Sequence, residues 1–405
     1  MLKSLGLLAA LCAAPPAFAQ AASSQTYTAV GPSSTASGKD TSSSYASVAE
    51  FRGVHFSGWA AGATNARRRF IADMKGAGFN AVVVALKDYD GKMFVRDVPL
   101  AVETRAYVNA IPDLPGAVKD FENAGIYTIA RISIFKDDHL ARARPDLAVH
   151  FPDGRIWTND KGTAWVDPYK KEVWSYAIDI ASRAAAAGFD EIQFDFIRFP
   201  SDGKTRQCRY SRADHSPATA SAALRELLTL AGARLRPLGV KLSIDTFGLT
   251  ASVDDGMGIG QTLEQMADLV DFVSPMMYPS HYARGEYGIK SPNRAPYETV
   301  RRGTRDALSR LGDRPAALRP FLQDFTMGVR YTPAHVRSQI LAVEELGVRG
   351  WILWNAQNRY SWSAVQAGPV IKPSPEAPKP PKKKKTVSTP APAAPENPPE
   401  SVENP

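Results

Sequence analysis

The stretch GFDEIQFDFIRFP spans residues 188–200 and decides the fold. Apolar and polar side chains alternate along it, with one set made of Ile192, Phe194 and Phe196 and the other of Glu191, Gln193 and Asp195. A period of two with aromatic and β-branched residues predicts a β-strand. Pro200 has no N–H and is expected to end this strand, which leaves Asp195 near its carboxyl end. Catalytic residues of parallel α/β proteins lie at that end, whereas the plainer interpretation is a solvated acidic edge.

Seven other stretches share this apolar, β-rich composition, so the sequence predicts eight strands in all. Near-continuous apolar character indicates burial on both faces, as in a parallel sheet that is covered by helices. The predicted strands cover residues 53–58, 80–88, 127–135, 191–200, 241–249, 272–280, 318–325 and 350–356.

Helical spacing of apolar residues fills the intervals between the strands, at residues 64–77, 112–124, 168–187, 217–236, 260–270, 296–311 and 333–346. Several of these helices begin with a capping residue followed by proline: Asp167-Pro168, Ser216-Pro217 and Thr332-Pro333. Strands that alternate with helices predict an α/β fold, a (β/α)8 TIM barrel over residues 50–365. The long loops follow the strands and are expected to build the active face.

The first nineteen residues have the features of a signal peptide. Lys3 supplies the positive start, residues 5–11 the apolar run, and Ala17-Phe18-Ala19 a small-residue cleavage motif. We therefore expect cleavage near Ala19 and a periplasmic or secreted protein. No other stretch approaches the roughly eighteen apolar residues of a membrane span, so no transmembrane segment is predicted.

Both ends of the chain differ from the barrel in composition. Residues 20–49 are rich in Ser, Ala and Thr and predict a flexible linker, and residues 366–405 are rich in Pro and Lys and predict a disordered tail. The run Lys382–Lys385 in this tail could make a weak contact with the cell envelope, or it is simply solvated. Without the signal peptide and the tail, the formal charge of +8 falls to about +5. That mild excess suits an anionic partner, although simple solubility explains it as well.

The polar residues nearest the predicted strand ends should meet around one mouth of the barrel. They are His55, Lys87 or Asp88, Arg131, Asp195 with Arg198, Asp245, Tyr278, Gln323 with Asp324, and Trp354 with Asn355. The residues other than the aspartates of strands 4, 5 and 7 are candidate substrate-binding residues. A purely structural barrel has little need for so many hydrogen-bonding groups at one end.

Asp195 and Asp245 are the candidate catalytic pair because they come from neighbouring strands. Strands about 4.8 Å apart would place their carboxylates roughly 5–9 Å from each other, which suits the two-carboxylate mechanism of glycoside hydrolysis. Two nearby like charges raise one pKa and so create a proton donor, while Arg131 and Arg198 could keep the other carboxylate ionised. Alternatively, Asp245 is an inward polar residue that its barrel neighbours satisfy. Asp324 is a third candidate catalytic residue, ranked below the pair. Gln323 and Asp324 are neighbours on the same strand and have opposite phases, so only one of them can point inward.

Aromatic residues near the strand ends agree with a sugar ligand, although each one singly is more often a packing residue. They are Trp59, Trp157, Trp165, Tyr278, Tyr282, Trp354 and Tyr360. Other chemistries find less support. The six histidines are scattered without metal-ligand spacing, and no Gly-x-Ser-x-Gly motif or dinucleotide fingerprint is present. We therefore expect no metal and no cofactor, and Cys208, the one cysteine left after cleavage, is expected to be incidental.

Five motifs spread over residues 51–360 carry a resemblance to a known family: Arg52-Gly53-Val54-His55, Trp165-Val166-Asp167-Pro168-Tyr169, residues 189–200, Pro275-Met276-Met277-Tyr278-Pro279 and Gly350-Trp351-Ile352-Leu353-Trp354-Asn355. They resemble the bacterial family of putative glycoside hydrolase barrel domains. This resemblance implies a TIM barrel related to amylase-like and chitinase-like hydrolases. By position, Asp195 matches the strand-four aspartate of related barrels, whereas the fifth strand carries Asp245 rather than a glutamate.

The sequence thus predicts an exported glycoside hydrolase that acts on an envelope or extracellular polysaccharide through a carboxylate pair. Asp195 is the expected nucleophile or base and Asp245 its partner. The alternative from another class is a non-catalytic glycan-binding barrel of the cell envelope, and a lyase or transglycosidase could use the same groove. A polysaccharide or oligosaccharide is the expected partner, and nucleic acid is not.

Overall fold

The computed structural model describes residues 51–313 and 318–365, and these residues contain a closed barrel of eight parallel strands. The strands are β1 (Phe51–Phe56), β2 (Ala81–Lys87), β3 (Tyr127–Ser133), β4 (Glu191–Asp195), β5 (Lys241–Phe247), β6 (Phe272–Met276), β7 (Phe321–Gln323) and β8 (Gly350–Trp354). They follow one another around the barrel in chain order, and the last strand pairs with the first. The predicted (β/α)8 barrel is confirmed.

Helices connect the strands and cover the outside of the barrel. They are α1 (Gly58–Gly62), α2 (Thr64–Gly76), α3 (Pro99–Thr104), α4 (Leu114–Asn123), α5 (Asp138–Ala143), α6 (Lys171–Ala186), α7 (Pro217–Leu235), α8 (Leu263–Ala267), α9 (Pro296–Leu311) and α10 (Pro333–Glu344). Outward apolar side chains of the strands, such as Val82, Ile132 and Ile192, are fully buried in the main core with the helices. This layer of the core fixes each strand against its helix and so fixes the height of every inward side chain.

The signal of a capping residue followed by proline predicts the start of two helices correctly and of one incorrectly. Ser216 caps α7 in a reciprocal capping box, and α10 begins directly after Thr332. Asp167 does not cap a helix that begins at Pro168, because α6 begins at Lys171. Its carboxylate instead accepts the backbone N–H groups of Tyr169, at 2.9 Å, and of Ser211, at 2.6 Å. Asp167 therefore joins the loop after β3 to the loop after β4.

The central strand is shorter than the alternation predicts. We expected β4 to continue to Pro200, but the chain leaves the sheet after Asp195, where Phe196 has a positive φ of 47°. A bulky residue rarely adopts this left-handed conformation, which turns the backbone sharply. Asp195 is consequently the last residue of the strand, nearer to the mouth than the sequence indicated.

The polar phase of β4 faces the barrel interior and finds partners at each level. At the amino end, Glu191 pairs with Arg319 and accepts a hydrogen bond from the Tyr127 hydroxyl at 3.0 Å. At the middle level, the Gln193 amide lies 3.4 Å from the Ser274 hydroxyl. A strand edge exposed to solvent is therefore excluded. Glu191 begins the strand and pairs inside the floor of the barrel.

Among the helices of residues 51–313 and 318–365, none is long and apolar enough to cross a membrane. The predicted signal peptide and linker at residues 1–49 and the predicted tail at residues 366–405 lie outside the described residues.

Candidate active site

Asp195 and Asp245 lie side by side at the carboxyl end of the barrel. The register of β4 and β5 pairs Phe194 with Ile244, so the next residue of each strand stands at the same height. Arg131 lies between the two carboxylates: its Nε donates to Asp195 Oδ2 at 3.0 Å and is 3.8 Å from Asp245 Oδ2. Because both distances start from one nitrogen, the two oxygens are at most about 7 Å apart. This limit agrees with the separation that the strand spacing predicts.

Asp195 is held by donors on both of its oxygens. Besides Nε, the Nη2 of Arg131 donates to Oδ2, and the backbone N–H of Phe196 donates to Oδ1 at 2.5 Å. This N–H belongs to the residue at which the chain turns out of the sheet. Charge-assisted hydrogen bonds of this kind stabilise a negative charge and fix its position.

Asp245 has the opposite environment. Burial, reinforced by the nearby charge of Asp195, raises the pKa of the Asp245 carboxyl well above its usual value, against the lowering effect of Arg131. Its Oδ1 is buried and accepts no hydrogen bond from the residues that the structure describes. Hydrogen-bond donors thus surround one carboxylate of the pair, and burial favours the protonated form of the other.

A β-bulge decides which side chain of strand 2 faces the mouth. The register with β3 shifts between Ala85 and Lys87, so Lys87 pairs with Ile132 and points outward. Its Nζ is 2.8 Å from Asp137 Oδ2, and both side chains are almost completely buried. The residue after the bulge, Asp88, faces inward, where its Oδ1 lies 3.9 Å from Arg131 Nη1.

An aromatic stack lies beside Arg131. Its guanidinium is 4.8 Å from the centre of the Trp354 ring, and His55 lies against the same ring with 3.8 Å between the centroids. Burial and the charge of Arg131 lower the pKa of His55 well below its usual value. The imidazole is therefore neutral at physiological pH, and the stack adds aromatic surface without adding charge.

The pair is covered by side chains of the neighbouring loops. Asp195 and Asp245 are each only 2% exposed. Tyr278 lies close to both, since their charges, after burial, raise the pKa of its hydroxyl well above the usual value. Phe325 packs edge-on against Tyr278, with the ring centroids 5.4 Å apart. Together with Trp354, these rings form an aromatic cover, which we define as Tyr278, Phe325 and Trp354.

The three polar residues at the ends of strands 7 and 8 hold the loops. Both oxygens of Asp324 accept from Ser361, Oδ2 from the backbone N–H at 2.6 Å and Oδ1 from the hydroxyl at 2.8 Å. Gln323 accepts from the N–H of Ser280 at 3.0 Å, and the Asn355 amide donates to the carbonyl of Asp324. Gln323 points inward and Asp324 binds a loop, as their opposite phases require.

Arg198 lies beside the mouth, next to a serine and two aromatic rings. It donates to the Ser201 hydroxyl, and its guanidinium lies 4.9 Å from the Phe196 ring and 5.2 Å from the Trp165 ring. Sequence reasoning missed Lys136, a buried cation whose Nζ lies 5.1 Å from the centre of the Phe196 ring. Lys136 lies in a long loop, where no periodic pattern shows which side chains face the mouth. The one available signal was its place directly after the apolar run of the third strand.

Most of the aromatic residues that suggested sugar platforms are packing residues. Trp157 and Trp165 are completely buried, and Tyr282 nearly so. Trp59 differs, because it is 39% exposed on α1, directly after β1, and its ring packs against Phe94. Cys208 is buried, and burial raises the pKa of its thiol to about 12.

No group of three or more His, Cys, Asp or Glu side chains in residues 51–313 and 318–365 is arranged to hold a metal ion. At the mouth, two buried carboxyl groups lie on either side of one guanidinium. Such a pair can donate a proton to one atom of a bond while it supplies a nucleophile or base to another.

Three solved structures are similar to this chain, and the glycoside hydrolase domain among them shares its fold. A hypothetical protein from Ruminiclostridium thermocellum is 32% identical over 47% of this chain and 96% of its own, with a TM-score of 0.42. The PgaB (BpsB) glycoside hydrolase domain from Bordetella bronchiseptica is 14% identical over 78% of this chain and 96% of its own, with a TM-score of 0.52. A class V chitinase from Pseudomonas fluorescens is 13% identical over 78% and 98%, with a TM-score of 0.47.

No curated protein matches the chain. Residues 53–360, however, match the family described as the "Putative glycosyl hydrolase domain", which covers the whole barrel from β1 to the loop after β8. On this match over most of its length, the chain belongs to that glycosyl hydrolase domain family.

Proposed function

We propose that this chain is an exported glycoside hydrolase that cleaves an envelope or extracellular polysaccharide with Asp195 and Asp245. The observation that carries the proposal is the position of Arg131 between these two carboxylates at the carboxyl end of the barrel. The family's description supports a glycosidic bond as the target. The PgaB domain, which shares the fold, is itself a glycoside hydrolase domain.

In the proposed reaction, Asp245 is the general acid. It donates its proton to the glycosidic oxygen as the bond to the anomeric carbon breaks, and its raised pKa favours the protonated form that this step needs. Asp195 supplies the negative charge, either by attacking the anomeric carbon or by removing a proton from the attacking water. Arg131 positions Asp195 through two hydrogen bonds.

Substrate must displace the aromatic cover, because both carboxylates are almost completely buried. The cover is built on the loops after β6 and β7 and on the end of β8, all at the mouth. Opening would expose aromatic ring faces together with buried polar atoms, among them the Trp354 Nε1, which donates to no described residue. Ring faces and hydrogen-bond donors are the groups that bind the two kinds of surface of a sugar.

Two matched substrates test the roles of the pair. An aryl glycoside with a good leaving group needs little protonation, whereas a natural glycosidic bond needs an acid. Asp245→Asn should therefore lower kcat/KM on the natural bond by about 10²–10⁴-fold and on the aryl glycoside far less. Asp195→Asn should abolish the cleavage of both substrates. The exposed control Asp160→Asn should leave both activities unchanged.

Equal losses on both substrates in Asp245→Asn would refute its role as the acid. Activity that survives in both Asp195→Asn and Asp245→Asn would refute the carboxylate pair. Circular dichroism and thermal unfolding of each variant separate lost chemistry from lost folding.

A specific observation also favours the second candidate, a non-catalytic glycan-binding barrel. Asp195 is saturated by Arg131 and the Phe196 N–H, and a carboxylate held this way inside a closed barrel can be purely structural. This candidate predicts glycan binding by wild-type protein without release of reducing ends from any glycan. A measurable turnover that Asp195→Asn removes would exclude it.

A further inference from the structure

The loops after β6, β7 and β8 carry a cluster of solvent-exposed cations at one side of the mouth. We define this basic rim as Arg284, Lys290, Arg294, Arg330 and Arg359, all of which are exposed. The same three loops contain two carboxylates, and one of these, Asp324, is buried. Only Glu286 is therefore available to offset the five positive charges from within these loops.

The three loops form one continuous surface. The Asn293 amide of the loop after β6 donates to the Met327 carbonyl of the loop after β7 at 2.6 Å, and the Tyr331 hydroxyl donates back to the Asn293 carbonyl at 3.3 Å. The loop after β7 is joined to the loop after β8 through the contacts of Asp324 with Asn355 and Ser361. The cations of the rim consequently stand on loops that are fixed relative to one another.

The rim's cations make no ion pair with any residue in the described ranges 51–313 and 318–365. Cations on the opposite side of the mouth do: Arg142 lies 2.8 Å from Asp138, and Arg155 lies 2.8 Å from Asp153. The difference is one of local composition, since exposed acids accompany the cations in the loop after β3, whereas the loops of the rim hold only Glu286 besides the buried Asp324. The five positive charges of the rim thus exceed the negative charge of the same loops outside the buried Asp324, which is that of Glu286 alone.

We propose that the basic rim binds negatively charged groups of the polysaccharide whose chain enters this mouth, so that the substrate is an acidic glycan. This inference rests on the proposed hydrolase function, because the rim borders the mouth that contains Asp195 and Asp245. Arginine pairs with carboxylate, sulfate and phosphate groups through several N–H donors, and an excess of cations attracts a polyanion before it docks. A neutral glycan would gain nothing from this surface.

Calorimetry with four probes tests the inference on the full chain. The probes are polygalacturonate, which carries carboxylates, dextran sulfate, neutral dextran, and a single-stranded DNA oligonucleotide. We expect binding of polygalacturonate at low salt, weakening between about 50 and 200 mM NaCl, and none of dextran. If dextran sulfate binds more tightly than polygalacturonate, the preferred group of the ligand is sulfate rather than carboxylate. That result would still support an acidic glycan.

Matched variants locate the binding. Replacing Arg284, Lys290, Arg330 and Arg359 by alanine should weaken polyanion binding about tenfold or more, whereas the control Arg142→Ala/Arg155→Ala should not. A third variant, with Lys382–Lys385 replaced by alanine, removes the charge run of the tail and should bind as the wild type does. Equal losses in the rim and control variants, or loss only in the tail variant, would overturn the assignment to the rim.

Two further outcomes separate this inference from the proposed function. If neutral glycans are cleaved and no acidic glycan binds, the acidic-substrate inference fails and the hydrolase stands. If acidic glycans bind through the rim and none is cleaved, the rim stands as a glycan-binding surface and the hydrolase fails. DNA that binds more tightly than every glycan, through the same four residues, would refute the glycan as ligand.

Discussion

Asp324 gives the most quantitative prediction, because its role can be measured through stability alone. Burial raises the pKa of this carboxyl from 3.8 to about 7, against the lowering effect of its hydrogen bonds from Ser361. In the unfolded chain the proton leaves near pH 4, whereas the folded protein keeps it until about pH 7. The folded state therefore binds the extra proton in this window, and its stability falls as pH rises through it. Three pH units at 1.36 kcal/mol each give a loss of about 4 kcal/mol.

Asp324→Asn removes this proton while keeping the shape of the side chain. At pH 4 both side chains are neutral and alike as acceptors towards Ser361, but the amide brings a second N–H donor into the buried site, so the variant should lose about 1 kcal/mol. At pH 8 the wild type contains a buried charge and the variant does not. We expect the difference to reverse there, with the variant more stable by about 3 kcal/mol.

Urea unfolding at pH 4 and pH 8, followed by tryptophan fluorescence, measures this reversal. Comparing wild type and variant at each pH cancels every other titrating group, and Asp160→Asn, an exposed control, should show no reversal. A stability difference that is the same at both pH values would refute the buried proton. A variant of unchanged stability that has lost its turnover would instead assign Asp324 to catalysis.

Three further changes test the interior charges. Arg131→Met should destabilise the fold by about 3–5 kcal/mol, because it leaves the buried Asp195 without its cation, and thermal unfolding will show whether it does. Lys87→Met should cost a similar amount by isolating Asp137, and Lys87→Met/Asp137→Leu should recover most of it; a double variant no more stable than the single one would contradict this reasoning. The value of kcat/KM should fall as pH rises and Asp245 loses its proton. A kcat/KM that instead rises over the same pH range would show that the protonated form of Asp245 is not required.

The sequence predicts the parts of this structure that depend on periodicity. The alternation along residues 191–195 predicts a polar phase that faces inward, because side chains of a β-strand alternate between its two faces. The recurrence of eight apolar stretches predicts the barrel. The opposite phases of Gln323 and Asp324 are likewise visible in the sequence. Side-chain burial in loops is not periodic, so the complete burial of Trp157 and Trp165 had no signal that separates packing from sugar binding.

Irregular backbone accounts for the features that the sequence could not predict. The bulge near Ala85 turns Lys87 outward, and the left-handed residue Phe196 ends β4 early. Neither position carries the glycine, asparagine or aspartate that usually marks such a conformation. Both irregularities lie at the carboxyl ends of their strands, next to the mouth. Lys87 is held by a tertiary contact with the Asp137 carboxylate, and Phe196 by a local hydrogen bond from its N–H to the Asp195 carboxylate.

The bulge also determines the charge balance on which the proposed chemistry depends. At the floor of the barrel, one carboxylate meets one guanidinium, and the pair is neutral. At the mouth, Arg131 lies within 4 Å of three carboxylates, those of Asp88, Asp195 and Asp245. A surplus of buried negative charge is relieved when one group retains a proton, and that group becomes an acid. An inward Lys87 would supply a second cation and reduce the surplus from two negative charges to one, so the outward turn of this one side chain favours the proton on Asp245.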